Sequence, residues 1–373
     1  MRIKSMWLWI GAFLPRNVIM VVACTLAIVS SVGHVPQLSY IDFSLLGLLF
    51  CLMVVVNGFK KLKILDYLAV HILKRCVSLR TITAALVGIT FFVSMLVTND
   101  VAVMTFVPLS LVIGNQINMD MAKIIVWQTL AANLGSALMP MGSPHNLFLY
   151  AHYSMTPWQF LSYTLLLVTI TALWLGWLVA HESETSLDIT LESVEVGSNS
   201  ELYMFICLFV LALLGVFRLV DYRLVVAITI IFVGVFARQL FLTVDYSLLI
   251  TFVGFFLFIG NVSHLPLVLG VKNSFMDNGT GVYCVSILVS QIISNVPAAI
   301  LLAGFTDYAK ELLLGVNVGG LGTLIASMAS VISYKLYVEQ KNANRRAYLN
   351  IFTYYNIMGV LVLGTLIYLL EIR

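Results

Sequence analysis

Charge is what this chain has least of. Only 10% of its 373 residues are Asp, Glu, Lys or Arg, while 61% are hydrophobic and the mean hydropathy is +1.02. A soluble domain carries about 25% charged and 45–50% apolar residues, so a water-soluble globule is excluded. Cysteine is sparse as well. Cys24, Cys51, Cys76, Cys207 and Cys284 stand singly in apolar or amphipathic segments without CxxC spacing, which argues against disulfides or thiolate metal sites. No Walker motif, HExxH or Cys/His cluster occurs, and no GxSxG sits on a suitable turn, so the usual machinery of an enzyme is missing. The net charge of +3 is small, and nothing points to nucleic acid.

What is present is a series of apolar stretches, each long enough to cross a hydrocarbon layer about 30 Å thick. In lipid such stretches must be helices, because every backbone polar group needs an internal partner. Membrane helices are expected near 17–33, 43–59, 122–150, 157–180, 201–219, 223–237, 246–261, 313–335 and 347–370. The first follows Arg2 and Lys4 without a small-residue cleavage site, which reads as a membrane helix within 1–34 rather than a removed signal. Two further segments, 81–115 and 280–312, are each long enough for two short helices. Thr98-Asn99-Asp100 interrupts one and Ser294-Asn295-Val296-Pro297 the other. Such polar residues suit the tip of a re-entrant hairpin better than the middle of a full crossing.

Basic residues give the orientation. Lys60, Lys61, Lys63, Lys74, Arg75 and Arg80 crowd one loop, and Lys335, Lys341, Arg345 and Arg346 another. The positive-inside rule places both loops and the N-terminus in the cytoplasm and the C-terminus outside, provided each hairpin returns to its own side. The stretch from Lys60 to Arg80 reads as an amphipathic arm at the lipid headgroups. Lys and Arg are absent from 181–200, where Glu182, Glu184, Asp188, Glu192 and Glu195 suggest a solvated cytoplasmic linker at the chain's midpoint. Trp7, Trp9, Trp158, Trp174 and Trp177 suit interfacial belts and lipid-facing packing.

The linker divides two similar halves, 35–180 and 201–370. Ile41-Asp42-Phe43-Ser44-Leu45-Leu46 recurs as Val244-Asp245-Tyr246-Ser247-Leu248-Leu249. Val93-Ser94 followed by Thr98-Asn99 matches Val289-Ser290 followed by Ser294-Asn295. Asn133-Leu134-Gly135 matches Asn317-Val318-Gly319, with Ser143 opposite Ser327 and Asn146 opposite Ser330. The expected topology makes the copies opposite in orientation, as in secondary transporters built from inverted repeats with a site near the midplane. Gly142-Ser143-Pro144-His145-Asn146 should break the helix 122–150, and Gly319, Gly320 and Gly322 should loosen its counterpart 313–335. The fold class is therefore an all-α polytopic membrane protein with inverted-topology repeats, each with a re-entrant helical hairpin and a broken helix. Asp42 and Asp245 read as N-caps of equivalent helices.

These motifs, together with Gly315-Val316-Asn317-Val318-Gly319-Gly320, resemble the ion transporter superfamily of divalent anion/sodium symporters and arsenical pump membrane subunits. The likeness covers about 41–370 and is greatest to small bacterial anion permeases. It implies a secondary active transporter of a small carboxylate or oxyanion across the inner membrane, coupled to sodium or protons by alternating access, with a homodimer carried over. By position, one cation site would use Ser94, Thr98, Asn99 and the Gly142 carbonyl. A second would use Ser290, the Ile293 carbonyl, Asn295 and the Ala326 carbonyl. Substrate would lie between Asn99, Ser143, Asn295 and Ser327, with Asp100, His145, Asn146 and Val296 beside it. No cofactor beyond sodium is implied.

One departure stands out. The third tip residue, a threonine in the dicarboxylate branch, is Asp100 in one half and Val296 in the other. A carboxylate about 4 Å from an anionic solute repels it by roughly 4 kcal/mol at an effective dielectric near 20. Asp100 is thus a candidate proton or cation carrier, or else a cap on its helix, and His145 is a candidate partner for its proton. An acidic tip also fits an arsenical-pump-like efflux permease for a metalloid, or a sodium/proton antiporter.

Overall fold

The computed structural model describes residues 18–32, 36–186, 191–262, 276–341 and 343–373. Arg2, Lys4, Trp7 and Trp9, with the rest of 1–17, lie outside the described residues, as does Asp188 of the linker. The described elements are helical, and the only β pairing among them is an isolated bridge between Ser78 and Ser186.

Ahead of the first half lies α1 (Val18–Ser31); the half itself begins with α2 (Phe43–Lys61), followed by a short amphipathic α3 (Ile64–Leu73). The paired helices α4 (Leu79–Leu96) and α5 (Asn99–Ile117) come next, then α6 (Ala122–Gly135), α7 (Pro144–His152) and α8 (Pro157–Ala180). Across the linker, α9 (Asn199–Val216) and α10 (Tyr222–Phe236) lead into α11 (Tyr246–Val262). A second helical pair, α12 (Gly279–Ile293) and α13 (Asn295–Ala303), precedes α14 (Ala309–Gly319), α15 (Met328–Val338) and α16 (Arg345–Ile367). Six helices among the described residues are long and apolar enough to cross a membrane.

Local chemistry accounts for many of the starts. Asp42 accepts from Leu45 N at 3.0 Å, and Asp245 from Leu248 N at 3.2 Å, as an N-cap should. Ser78 and Thr81 form a capping box at α4, and Thr156 and Gln159 form one at α8, where Pro157 takes the first helical position. Asn278 caps α12 and Asn344 caps α16 through their side-chain oxygens.

The two halves repeat a packing scheme. In each, the first helix of the pair lies along the first half of the half's own interrupted helix: α4 on α6, and α12 on α14. The second helix of each pair packs on that same segment and, about as extensively, on the other half's continuation: α5 on α15, and α13 on α7. Small residues allow the first contact. A Cβ on Gly135 would come within 2.6 Å of the Phe91 carbonyl and 2.8 Å of Ser94 Oγ. Its counterpart, Gly319, would meet Ser290 Oγ at 2.8 Å.

Four expectations need correction. The second hairpin stops at Ala303 rather than 312, and α14 starts at Ala309 rather than 313, because the chain turns through Gly304–Tyr308. The break expected at 142–146 spans Ser136–Ser143 instead, as two 3-10 turns (Ser136–Leu138 and Pro140–Gly142). The arms of the first hairpin are not short: α4 and α5 have 18 and 19 residues, and their base reaches water at Arg80, which pairs with Glu184.

The fourth correction concerns the linker, whose start is not merely solvated. Glu182 is buried and its Oε2 lies 2.7 Å from Lys123 Nζ, while its carbonyl accepts from Arg80 Nε at 2.9 Å. Leu79 N donates to the Thr185 carbonyl at 2.9 Å, so the linker is fastened to the hairpin base.

Candidate functional site

Two hairpin tips and two helix breaks meet in the middle of the molecule. The first tip is Val97-Thr98, with extended backbone, after which Asn99 and Asp100 open α5. The second tip is Ser294 alone, held at φ 77°, a left-handed backbone that a side chain rarely adopts. Its hydroxyl donates to the Ala326 carbonyl at 3.3 Å, tying tip to break. Strain of this kind costs on the order of 1–3 kcal/mol and survives where surrounding contacts dictate it.

The breaks are joined across the halves by two asparagines. Asn133, in the last turn of α6, accepts at Oδ1 from Asn99 Nδ2 at 3.1 Å and from Ser327 Oγ at 2.8 Å. Its Nδ2 donates to Ser330 Oγ at 3.4 Å. Asn317 occupies the same place on α14. Its Nδ2 donates to Asn146 Oδ1 at 2.8 Å, and its Oδ1 accepts from Asn146 Nδ2 at 3.4 Å and lies 3.3 Å from His145 Nε2. His145 Nε2 is also 3.3 Å from Ser143 Oγ. All of these side chains are buried. Each asparagine therefore binds the start of the other half's continuing helix, and Asn146 and Ser330 are the equivalent partners.

The candidate residues thus fall into groups. Asn99 and Ser327 share Asn133; Ser143, His145 and Asn146 gather on Asn317. Asn295 lies against Gly320 in the second break, where an added Cβ would come within 2.7 Å of its Nδ2. Ser94 and Ser290 donate within their own helices, to the Phe91 carbonyl at 2.8 Å and the Ser286 carbonyl at 2.7 Å. Their oxygens keep lone pairs that could still face a cation. Thr98 is half-buried on the wall of a cavity. Gly142 is tucked against the Ser136 carbonyl, where no side chain fits. Ile293 and Val296 are partly buried and pack against the apolar core.

Asp100 and His145 are not hydrogen-bonded to each other. The imidazole is held by Ser143 and Asn317, and Asp100 Oδ1 is buried with no hydrogen-bond partner among the described residues. The proton-sharing pair expected from the sequence is therefore not formed. Asp100 and Ser143 instead line a cavity of about 320 Å³ with Lys60 and Asn57 of α2, and Thr243 and Asp245 just ahead of α11. Lys60, expected at the headgroups, faces this cavity too.

Along the sequence, Asn133 and Asn317 stand out only as marks of the repeat. The signal was present, since a buried amide recurring at the same place in both halves needs a partner each time. No group of three or more His, Cys, Asp or Glu able to hold a metal ion occurs among the described residues.

Comparison with known proteins agrees with this architecture. Residues 5–332 match the citrate transporter family, CitMHS. An uncharacterized transporter of Methanocaldococcus jannaschii, MJ0456, is 34% identical over 295 residues, covering 77% of this chain and 79% of the relative. The inner membrane protein YbiR of Escherichia coli K12 is 27% identical over 310 residues, covering 81% and 82%. Among solved structures, the YdaH transporter of Alcanivorax borkumensis, described as having an unusual topology, superposes with a TM-score of 0.53 at 13% identity. It covers 93% of this chain and 95% of that one, a likeness of fold alone. The chain belongs to the citrate transporter family and is a multi-pass membrane protein of transporter class.

Proposed function

We propose that this member of the citrate transporter family is a secondary active transporter that moves a small carboxylate or oxyanion across the cytoplasmic membrane, coupled to sodium or protons, by alternating access. The observation that carries this reading is the buried polar network joining tips and breaks, set beside a cavity that reaches Asp100 and Ser143. A polar crossing of interrupted helices is costly in a membrane interior unless it serves a solute path. The exchanged packing of the two halves supports an inverted repeat with re-entrant hairpins, opposite in orientation. The basic residues at one end support a cytoplasmic N-terminus and an external C-terminus.

Half-helix starts at Pro144 and Met328 offer free N–H groups to an anion, and the carbonyls freed at the breaks suit a cation. Substrate would then contact Asn99, Ser143, His145, Asn146, Asn295 and Ser327, with cations near Thr98 and Ala326. A second reading, metalloid efflux or sodium/proton antiport, is favoured by Asp100 at the first tip, where a carboxylate would repel an anion.

A thermal-shift panel of citrate, dicarboxylates, arsenite and sodium against choline, each at two pH values, separates these readings. A carboxylate that stabilises the protein only with sodium, or only at the lower pH, is the expected result. In Asn99→Ala and Asn295→Ala that shift should disappear; if both variants keep it, the site lies elsewhere. Stabilisation by sodium alone, opposed by protons, would favour the antiporter, and stabilisation by arsenite the efflux permease.

A further inference from the structure

The cavity beside Asp100 has a counterpart in the other half. A smaller one, of about 180 Å³, is lined by Tyr40, Asp42, Phe148, His152, Ile259 and Ile300. Carried through the repeat register, Tyr40 corresponds to Thr243, Asp42 to Asp245 and Ile300 to Met104, and the counterparts line the larger cavity. The two are equivalent places that differ in depth. The larger runs from exposed Thr243 and Asp245 down to Thr98, Asp100 and buried Ser143. The smaller stops short of its tip, since neither Ser294 nor Asn295 lines it. Its Tyr40 ring lies on Gly260, where no side chain would fit, whereas the equivalent pair in the larger cavity is Thr243 and Asn57, with Asn57 Nδ2 donating to the Thr243 carbonyl at 3.0 Å.

Asp245 has more to offer than a cap. Both of its hydrogen bonds fall on Oδ1, from Leu248 N and Ser247 Oγ. Oδ2 makes no hydrogen bond among the described residues, and the side chain lines the larger cavity. The titratable groups lining this space are Lys60 from α2, Asp100 from α5 and Asp245 ahead of α11. Asp245 is the exposed carboxylate at the mouth, and a carboxylate placed there raises the local concentration of cations.

We propose that the larger cavity is the access vestibule on the Lys60 side, and that Asp245 is a cation-collecting station at its mouth. A cation held there lowers the repulsion an anionic solute meets on the way to Asp100. This deepens the transport reading and rests on it, but its test needs no transported solute.

The test separates charge from capping, because Asn caps a helix about as well as Asp. In a chain with the five native cysteines replaced, Leu248→Cys on the cavity wall is reacted with cationic and anionic methanethiosulfonates in sided vesicles. Each rate is normalised to that of a free thiol. Reaction is expected from the Lys60 side only, favouring the cationic reagent by about 10-fold, the lower end of field-focused rate gains. Asp245→Asn should cut that preference at least about threefold, while Asp42→Asn leaves it unchanged. Reaction from both sides, or from neither, overturns the vestibule; a preference untouched by Asp245→Asn overturns the station. Either failure leaves the anion panel to judge the transport reading by itself.

Discussion

Asn133 and Asn317 show how much one amide can organise. Asn133 satisfies Asn99, Ser327 and Ser330 at once, and Asn317 satisfies Asn146 in both directions. Truncating Asn133 takes a partner from Asn99, Ser327 and Ser330, and truncating Asn317 leaves Asn146 Oδ1 bare, at about 1–3 kcal/mol for each group left unpaired. Asn133→Ala and Asn317→Ala are expected to lower the melting temperature in detergent and to weaken solute-induced stabilisation. Retention of both properties would show that the amides are not the joint between the halves. Asp100 differs in kind: its Oδ1 is buried with no hydrogen-bond partner among the described residues. The equivalent position, Val296, is settled against the apolar core.

Among elements, the contacts of α4 with α6 and of α12 with α14 are the tightest places to test. Gly135 and Gly319 let helix backbones approach at Ser94 and Ser290, beside the candidate cation ligands. In Gly135→Val and Gly319→Val the new side chain meets backbone in one case and a buried serine in the other, so neither neighbour can yield freely. A loss of about 1–3 kcal/mol is expected from overpacking, read as a lower midpoint in detergent or denaturant melts. The same variants should lose cation-dependent stabilisation if the packing shapes the ligand set. Unchanged melting would mean that the helices separate at little cost. The helix starts were legible, because Asp42, Ser78, Thr156 and Asp245 are capping residues ahead of apolar runs. The end of the second hairpin was not. Leu301 and Leu302 before the turn and Leu312 to Leu314 after it look alike in hydropathy, and only packing shows where the chain reverses. The burial of Glu182 is hidden for a similar reason: its partners Arg80 and Lys123 come from 102 and 59 positions earlier in the chain.

At the scale of the molecule the two halves are alike in plan and unlike in state. One vestibule reaches its tip; the other is filled by aromatic side chains, with Tyr40 on Gly260. Tyr40→Ala should open the smaller vestibule, making a cysteine placed at Ile300 reactive from the side opposite Lys60. No gain in reactivity there would mean that Tyr40 is packing alone and that closure lies deeper.

By itself, the sequence determined that this chain is helical and lives in a membrane, because low charge and long apolar runs leave the backbone no other way to satisfy its polar groups. It also determined the repeat and the polar tips, since both are patterns of residue identity along one line. The tertiary structure alone decided which groups meet. That Asn133 belongs with Ser327 and Asn317 with Asn146, that His145 is held away from Asp100, and that Asp245 shares a cavity with Asp100 are facts of crossing helices. Partners 145 to 194 positions apart leave no local mark, because each side chain's own neighbours are satisfied whichever distant helix it finds.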